Sequence, residues 1–247
     1  MSIRSQSELL KLQAIGRIVR LTLDAMAAAV RPGITTRELD QVGAAILKAH
    51  GAESTPPKAY GFPGTACISV NDEALHGIPG GRVLAEGDIV TLDVTADKDG
   101  FVADAAVTVR VGQVSQNADG LVKCAERAFR QALGVAKAGN RVYEIGRTVE
   151  REVKSSGFNV LKEYCGHGVG RAIHEEPSVP NHFDSRFRSK LTEGLVLTIE
   201  PIISAGTGRS KVQSDKWTIR TTDGSLAAHY EHTIVITKGR PILLTVA

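Results

Sequence analysis

At 247 residues, with 42% hydrophobic and 23% charged residues, the chain has the make-up of a folded globular protein rather than a disordered one. A formal charge of +3, from 30 basic against 27 acidic residues and without a basic run, gives no electrostatic footprint for DNA. No stretch approaches the roughly 18 apolar residues of a membrane span, the N-terminal region has no apolar signal core, and three cysteines without finger spacing fit a reduced, cytoplasmic compartment.

Apolar residues at helical spacing predict a helix over 7–30, stopped by Pro32-Gly33, and a second helix capped by Thr35 or Thr36 and ending at His50-Gly51. Residues 52–65, rich in proline and glycine, read as a loop with Tyr60 and Phe62 at its tip. A short strand over 67–70, a turn-rich connection over 71–81, and strands over 88–95 and 102–111 joined at Asp97–Gly100 complete the first part. The second part repeats this plan, with helices over 117–136 and 141–155 and strands near 161–174, 195–204, 215–222 and 230–237. Two helices followed by antiparallel strands, twice, is an α+β pattern. The expected arrangement is one curved antiparallel sheet with the helices packed on its outer face.

The repetition is visible in the letters. LAEGDIVTLD (84–93) returns as LTEGLVLTIE (191–200), and each copy ends on a carboxylate, Asp93 and Glu200. DAAVTVRVG from Asp104 parallels EHTIVITKG from Glu231, and Gly33, Glu38 and Gly51 fall on Gly139, Glu144 and Gly157 at an offset of 106. Units this long are not solenoid repeats. They suggest two halves, about 7–112 and 113–239, of a single domain spanning 1–247 and related by a pseudo-twofold axis, with four strands delivering four acids towards that axis.

Taken alone, each acid reads as the solvated face of a strand. Four at matched positions do not, because clustered carboxylates raise one another's pKa values and bound cations relieve the repulsion. An oxygen-rich set with one imidazole, His167 in GHGVG, suits a pair of divalent ions among Co, Mn, Fe and Zn, between which a bridging water would readily lose its proton. The same glycines do not complete a dinucleotide fingerprint. His50 reads as a helix cap or exposed residue, His182 as surface loop, Cys165 as a small buried hydrophobe, and His232 as facing away from the acids because it alternates with Glu231.

The segments SVNDEALHGIPG, DIVTLDVTADKDGFVAD, YCGHGVGRAIHEEP, LTIEPIISAG and WTIRTTDGSLAAHYEHTIVIT together resemble the type I methionine aminopeptidase family, and the likeness covers essentially the whole chain. The resemblance implies the duplicated pita-bread fold shared with Xaa-Pro peptidases and creatinase. It implies removal of N-terminal methionine from nascent proteins and peptides by attack of a metal-bridging hydroxide on the first peptide carbonyl. It further implies Asp93 as a chelating ligand, Asp104 and Glu231 as bridging ligands, and His167 and Glu200 on the other metal, with Glu200 relaying a proton. His174 would bond the scissile carbonyl and His76 the substrate amide, while Phe62, Cys67, Trp217 and the nearby Tyr60 would receive the methionine side chain.

Monomeric state, cytoplasmic location and proximity to the ribosome follow as expectations from the same likeness. Three departures stand out: Ala105-Ala106 where a hydroxyl-bearing residue commonly follows Asp104, Ile173 where an aromatic is frequent, and His229 where glutamine is common. Two rival readings remain. One is an Xaa-Pro peptidase, although those usually carry an extra N-terminal domain for which this chain leaves no room. The other is a catalytically weakened pita-bread protein that binds peptide or RNA.

Overall fold

The computed structural model describes residues 1–246. The chain begins with two helices, α1 (Gln6–Ala29) and α2 (Thr36–Ala49), followed by β1 (Glu53–Ser54), the short helix α3 (Thr55–Tyr60), β2 (Cys67–Val70), β3 (Glu73–Leu75), β4 (Ile89–Lys98) and β5 (Phe101–Arg110). The second run opens on α4 (Gln116–Val135) and α5 (Val142–Ser155). It continues through β6 (Asn159–Val160), β7 (Cys165–Gly168), β8 (Glu175–Pro180), β9 (Val196–Ile199) and β10 (Ile202–Ser204). The chain then passes along β11 (Ser210–Val212), β12 (Ile219–Thr221), β13 (Ala227–His229), β14 (Glu231–Val235) and β15 (Ile242–Leu243).

The main sheet has nine antiparallel strands, and its central path reads the same from either end: β2-β4-β5-β14-β9-β7. The seam between β5 and β14 is where the two runs meet. Two three-stranded sheets, β13-β10-β6 and β11-β12-β3, flank the main one, so the strands are not all in a single sheet. Pro201 is one reason. It has no N–H to give to a ladder, the strand expected over 195–204 breaks at Glu200-Pro201, and β10 continues in a different sheet.

Three other expectations change. The loop over 52–65 contains α3, whose first turn accepts Pro56-Pro57 because its N–H groups need no helical partner, and which ends at Gly61 with φ +74°. The connection over 71–81 holds β3, which pairs with β12. The strand expected over 161–174 is only β7 within that range; a turn that includes Gly170 at φ +132° follows it, and β8 begins beyond, at Glu175.

Helix starts follow local chemistry. Ser5 and Ser115 cap α1 and α4 by accepting from Glu8 N and Ala118 N, both at 3.2 Å. Thr35 and Glu38 form a reciprocal box at α2, and Glu144, the counterpart of Glu38, likewise accepts from the backbone N of Arg141. The repeated glycines Gly87 and Gly194 both turn at positive φ, +92° and +82°, a conformation that side-chain-bearing residues avoid; this is the steric reason for the echo.

Each pair of helices closes its own core against one face of the sheet. Leu12, Ile15, Val19, Leu23 and Leu39 pack with Val90, Leu92 and Val94. Leu121, Phe129, Ile145 and Val149 pack with Leu197, Ile199 and Ile234. The other face of the same strands carries Thr91, Asp93 and Thr95 on β4 and Asp104, Ala106 and Thr108 on β5, because side chains alternate along a strand. One face supplies the core and the opposite face carries acidic and hydroxyl side chains.

Close helix–strand approach sets a test. A Cβ on Gly146 of α5 would lie 2.3 Å from His182 O and 2.5 Å from Pro180 O. Gly146→Ala should therefore lower stability by about 1–3 kcal/mol, read as a lower urea midpoint at unchanged slope; an unaltered midpoint would contradict the packing described.

Candidate active site

Register brings the acids together. Across β2, β4, β5 and β14 the residues Cys67, Asp93, Ala106 and Glu231 form one row, with Thr95 opposite Asp104 beside it. Glu200 follows the end of β9, whose Ile199 pairs with His232 of β14. His167 sits at an irregularity in β7, squeezed between β8 and β9. A Cβ on either flanking glycine would strike backbone, Thr198 O at 2.6 Å from Gly166 and Glu176 O at 2.2 Å from Gly168.

Atoms of Asp104, His167 and Glu231 lie within 4.8 Å of one another. His167 Nε2 is 3.8 Å from Asp104 Oδ2 and 3.6 Å from Glu200 Oε1. Thr198 orders the pair: its hydroxyl donates to Glu200 Oε1 at 2.9 Å and accepts from the backbone N of His167 at 3.0 Å. Burial pushes the carboxyls of Asp93, Glu200 and Glu231 well above the usual range, and the neighbouring Asp104 adds to the effect in all three. Burial likewise raises Asp104, to about 7, and lowers His167 to about 4, with His174 adding to the latter.

These residues fit a divalent metal centre. Asp104 Oδ1 and Glu231 Oε1 are buried without a hydrogen-bond partner among the described residues, and such oxygens are costly unless something accepts their charge. Carboxylate oxygens with one imidazole suit hard to borderline cations. The alanines around Asp104 have a geometric meaning. Ala103 and Ala105 belong to the helix-side core, and Ala106 lies between Asp93 and Glu231. Support comes instead from Thr233, whose hydroxyl accepts from Asp104 N at 2.9 Å and donates to Asp104 O at 2.7 Å.

All eleven residues singled out in the sequence line one cavity of about 600 Å³. At its apolar end Phe62 meets Trp217 edge-on, with ring centroids 5.3 Å apart, next to Cys67; Ile173, largely buried, also lines the wall. Tyr60, half-exposed at the end of α3, places its hydroxyl 2.6 Å from His174 Nδ1. The His174 ring lies 4.2 Å from that of His167, centroid to centroid. His76 occupies the left-handed region, φ +53°, on the same cavity, a conformation that non-glycine residues hold at a cost.

The dull readings divide. His50 is exposed at the end of α2. His232 faces away from the acids and bonds Thr245 and Tyr230 at 2.7 and 3.2 Å. His182 is half-buried rather than fully on the surface, and Cys165 is half-buried on the cavity wall. His229, noted in the sequence only as a departure, lies in the cavity, and burial drives its imidazole down to about 3. Strand alternation does not place it beside Glu231, because His229 ends β13 and Glu231 opens β14, in different sheets. Thr198, two before Glu200 along the run leaving β9, is where the period of a strand does bring a hydroxyl to an acid.

The sequence pattern of metallopeptidase family M24 matches residues 11–238. Methionine aminopeptidase 2 of Bacillus subtilis (strain 168) is 43% identical over 247 residues, 99% of each chain. The crystal structure of a methionine aminopeptidase from Thermotoga maritima superposes with a TM-score of 0.97 at 36% identity, covering all of both chains. Prolidase from Pyrococcus furiosus shares the fold, with a TM-score of 0.81 at 23% identity over 99% of this chain and 65% of its own.

The acid cluster sets a pH dependence. Between the ordinary carboxylate value and about 7, folded Asp104 keeps a proton that the unfolded chain has lost. Its contribution to stability in the metal-free protein therefore falls as pH rises through that window. Asp104→Asn should flatten this slope in a melting-temperature series taken with chelator from pH 4 to 8, by a few degrees at about 2–4 °C per kcal/mol; identical slopes would contradict it.

Proposed function

The chain belongs to metallopeptidase family M24, and from that premise we infer that it is a metal-dependent methionyl aminopeptidase removing N-terminal methionine from peptides and nascent chains. The observation that carries the reading is a cluster of three buried acids, the half-buried Asp93 and an imidazole, opening directly onto an apolar, aromatic-walled slot in the same cavity. Asp93, Asp104, His167, Glu200 and Glu231 would hold two divalent cations, among Co, Mn, Fe and Zn. Bound there, such ions supply Lewis acidity and make water a nucleophile near neutral pH.

The chain's own groups do the remaining work. Phe62, Trp217 and Cys67 take the methionine side chain, where burial and sulfur–aromatic contact favour a thioether. Asp93, in register with Cys67 at the foot of that slot, holds the substrate's α-amine. With Nδ1 accepting the Tyr60 hydroxyl proton, the ring proton of His174 sits on Nε2, the tautomer that donates to a peptide carbonyl and its developing negative charge. His76 contacts the substrate amide. Glu200, steadied by Thr198, takes a proton from water and returns it to the leaving amine. The same reading has the protein act as a monomer in the cytoplasm, beside the ribosome; among the described residues no helix is long and apolar enough to cross a membrane.

Chelator-treated protein supplied with Mn, Co, Fe or Zn should cleave Met-Ala and leave Ala-Pro intact; the reverse preference would make it an Xaa-Pro peptidase, and no cleavage of either a binding protein. Asp104→Asn should abolish hydrolysis with the fold retained by circular dichroism, and Glu200→Gln should lower kcat by roughly 10²–10⁴-fold. Tyr60→Phe removes one hydrogen bond, worth about 0.5–1.5 kcal/mol, and should lower kcat by up to about tenfold with KM little changed; a rise in KM alone would assign Tyr60 to side-chain binding only.

A further inference from the structure

Two histidines of neighbouring sequence, His229 and His232, are both buried, and their surroundings differ in kind. His232 has a partner for each ring nitrogen, Thr245 Oγ1 and Tyr230 OH, as a structural imidazole should. His229 is 1% exposed and, among the described residues, has a hydrogen bond at neither Nδ1 nor Nε2. Leaving a buried donor or acceptor unpaired costs about 1–3 kcal/mol, so an aliphatic side chain would fill that space at less cost. What faces His229 Nε2 are two carboxylates: Glu231 Oε2 at 3.6 Å and Glu200 Oε2 at 3.8 Å.

The ring is held in that direction by its backbone. Thr108 Oγ1 accepts from His229 N at 2.9 Å and donates to His229 O at 2.8 Å, while Thr91 Oγ1 lies 2.8 Å from the same hydroxyl. β13 is further fixed by pairing His229 with Ile202. His229 therefore approaches Glu200 from the side of Oε2, while His167 lies nearest Oε1. A displacement of under about 1 Å would bring Nε2 within hydrogen-bond length of either acid.

We propose that His229 is a positioning residue of the metal centre, donating Nε2–H to the Glu200 and Glu231 carboxylates and holding both in the orientation in which they take a divalent cation. Carboxylates that ligate a metal are commonly steadied by such outer hydrogen bonds, and loss of one typically costs 10–100-fold in metal affinity. The inference rests on the assignment of Glu200 and Glu231 as metal ligands given above.

The test titrates Co²⁺ into chelator-stripped full-length protein, by calorimetry and by visible absorption of the bound ion, for the wild type, His229→Gln and His229→Leu. The leucine variant, without a donor, should bind Co²⁺ roughly 10–100-fold more weakly. The glutamine variant, which keeps an N–H, should stay within about threefold of wild type. The absorption bands of bound Co²⁺ should keep their positions throughout, since the ligand set is unchanged. Wild-type affinity in His229→Leu would overturn the proposal. So would glutamine failing like leucine with displaced bands, which would make His229 a ligand itself. A wild-type protein that binds no Co²⁺ would instead overturn the metal-centre reading, so the two failures are distinguishable. Metal-free melting curves check that each variant folds, and His229→Met replaces the leucine variant if that does not.

Discussion

Confinement of four carboxylates in one largely water-excluded cavity is the constraint around which this protein is built. Asp93, Asp104, Glu200 and Glu231 lie in one cavity, and each is displaced upward from the ordinary carboxylate range, with burial the main cause. In water such a cluster would disperse. Here the strand ladders hold the acids in place, and the interactions that fix them are mostly backbone ones: the register of β4 with β5, of β5 with β14, and the clasp of Thr233 on the backbone of Asp104. The site is held rigid against its own electrostatics, the condition under which a cation gains most by entering.

Duplication explains how the strain is distributed. Asp93 and Asp104 come from the first run of elements, and His167, Glu200 and Glu231 from the second. The slot is shared as well, with Tyr60, Phe62 and Cys67 on one side of the seam and Trp217 on the other. Each run has a helix-backed core of its own, so the seam between β5 and β14 can carry polar residues without weakening either core. Stability lies on the helix-covered face and chemistry on the other, and strand alternation keeps them apart.

Much of this was legible in the chain. The two copies of an acidic turn followed by a strand, LAEGDIVTLD and LTEGLVLTIE, show their kinship because backbone sterics impose it: Gly87 and Gly194 both need positive φ. All eleven candidate residues of the sequence line one cavity. Harder to see were α3, hidden by a Pro56-Pro57 pair that usually marks a loop, and the end of β7 at Gly168, well short of residue 174. Each turns on local backbone geometry that periodicity does not report. His229 stands out in the sequence only as a departure, because its context is tertiary. Nothing in AAHYEHT says that two ring nitrogens will be buried without partners among the described residues, opposite acids from two separate segments.

By itself, then, the order of residues determined the duplication, the helix and strand succession, the family resemblance and which side chains were candidates for chemistry, since these depend on short-range sterics and on pattern. Tertiary structure alone decided the distances: that Asp93 and Glu231 lie on either side of Ala106 in one row, that Tyr60 reaches His174 Nδ1, and that one imidazole is satisfied where another is not. Register across non-consecutive strands is chosen by packing of the whole sheet. Hydrogen-bond satisfaction is likewise a property of the folded surroundings rather than of any residue.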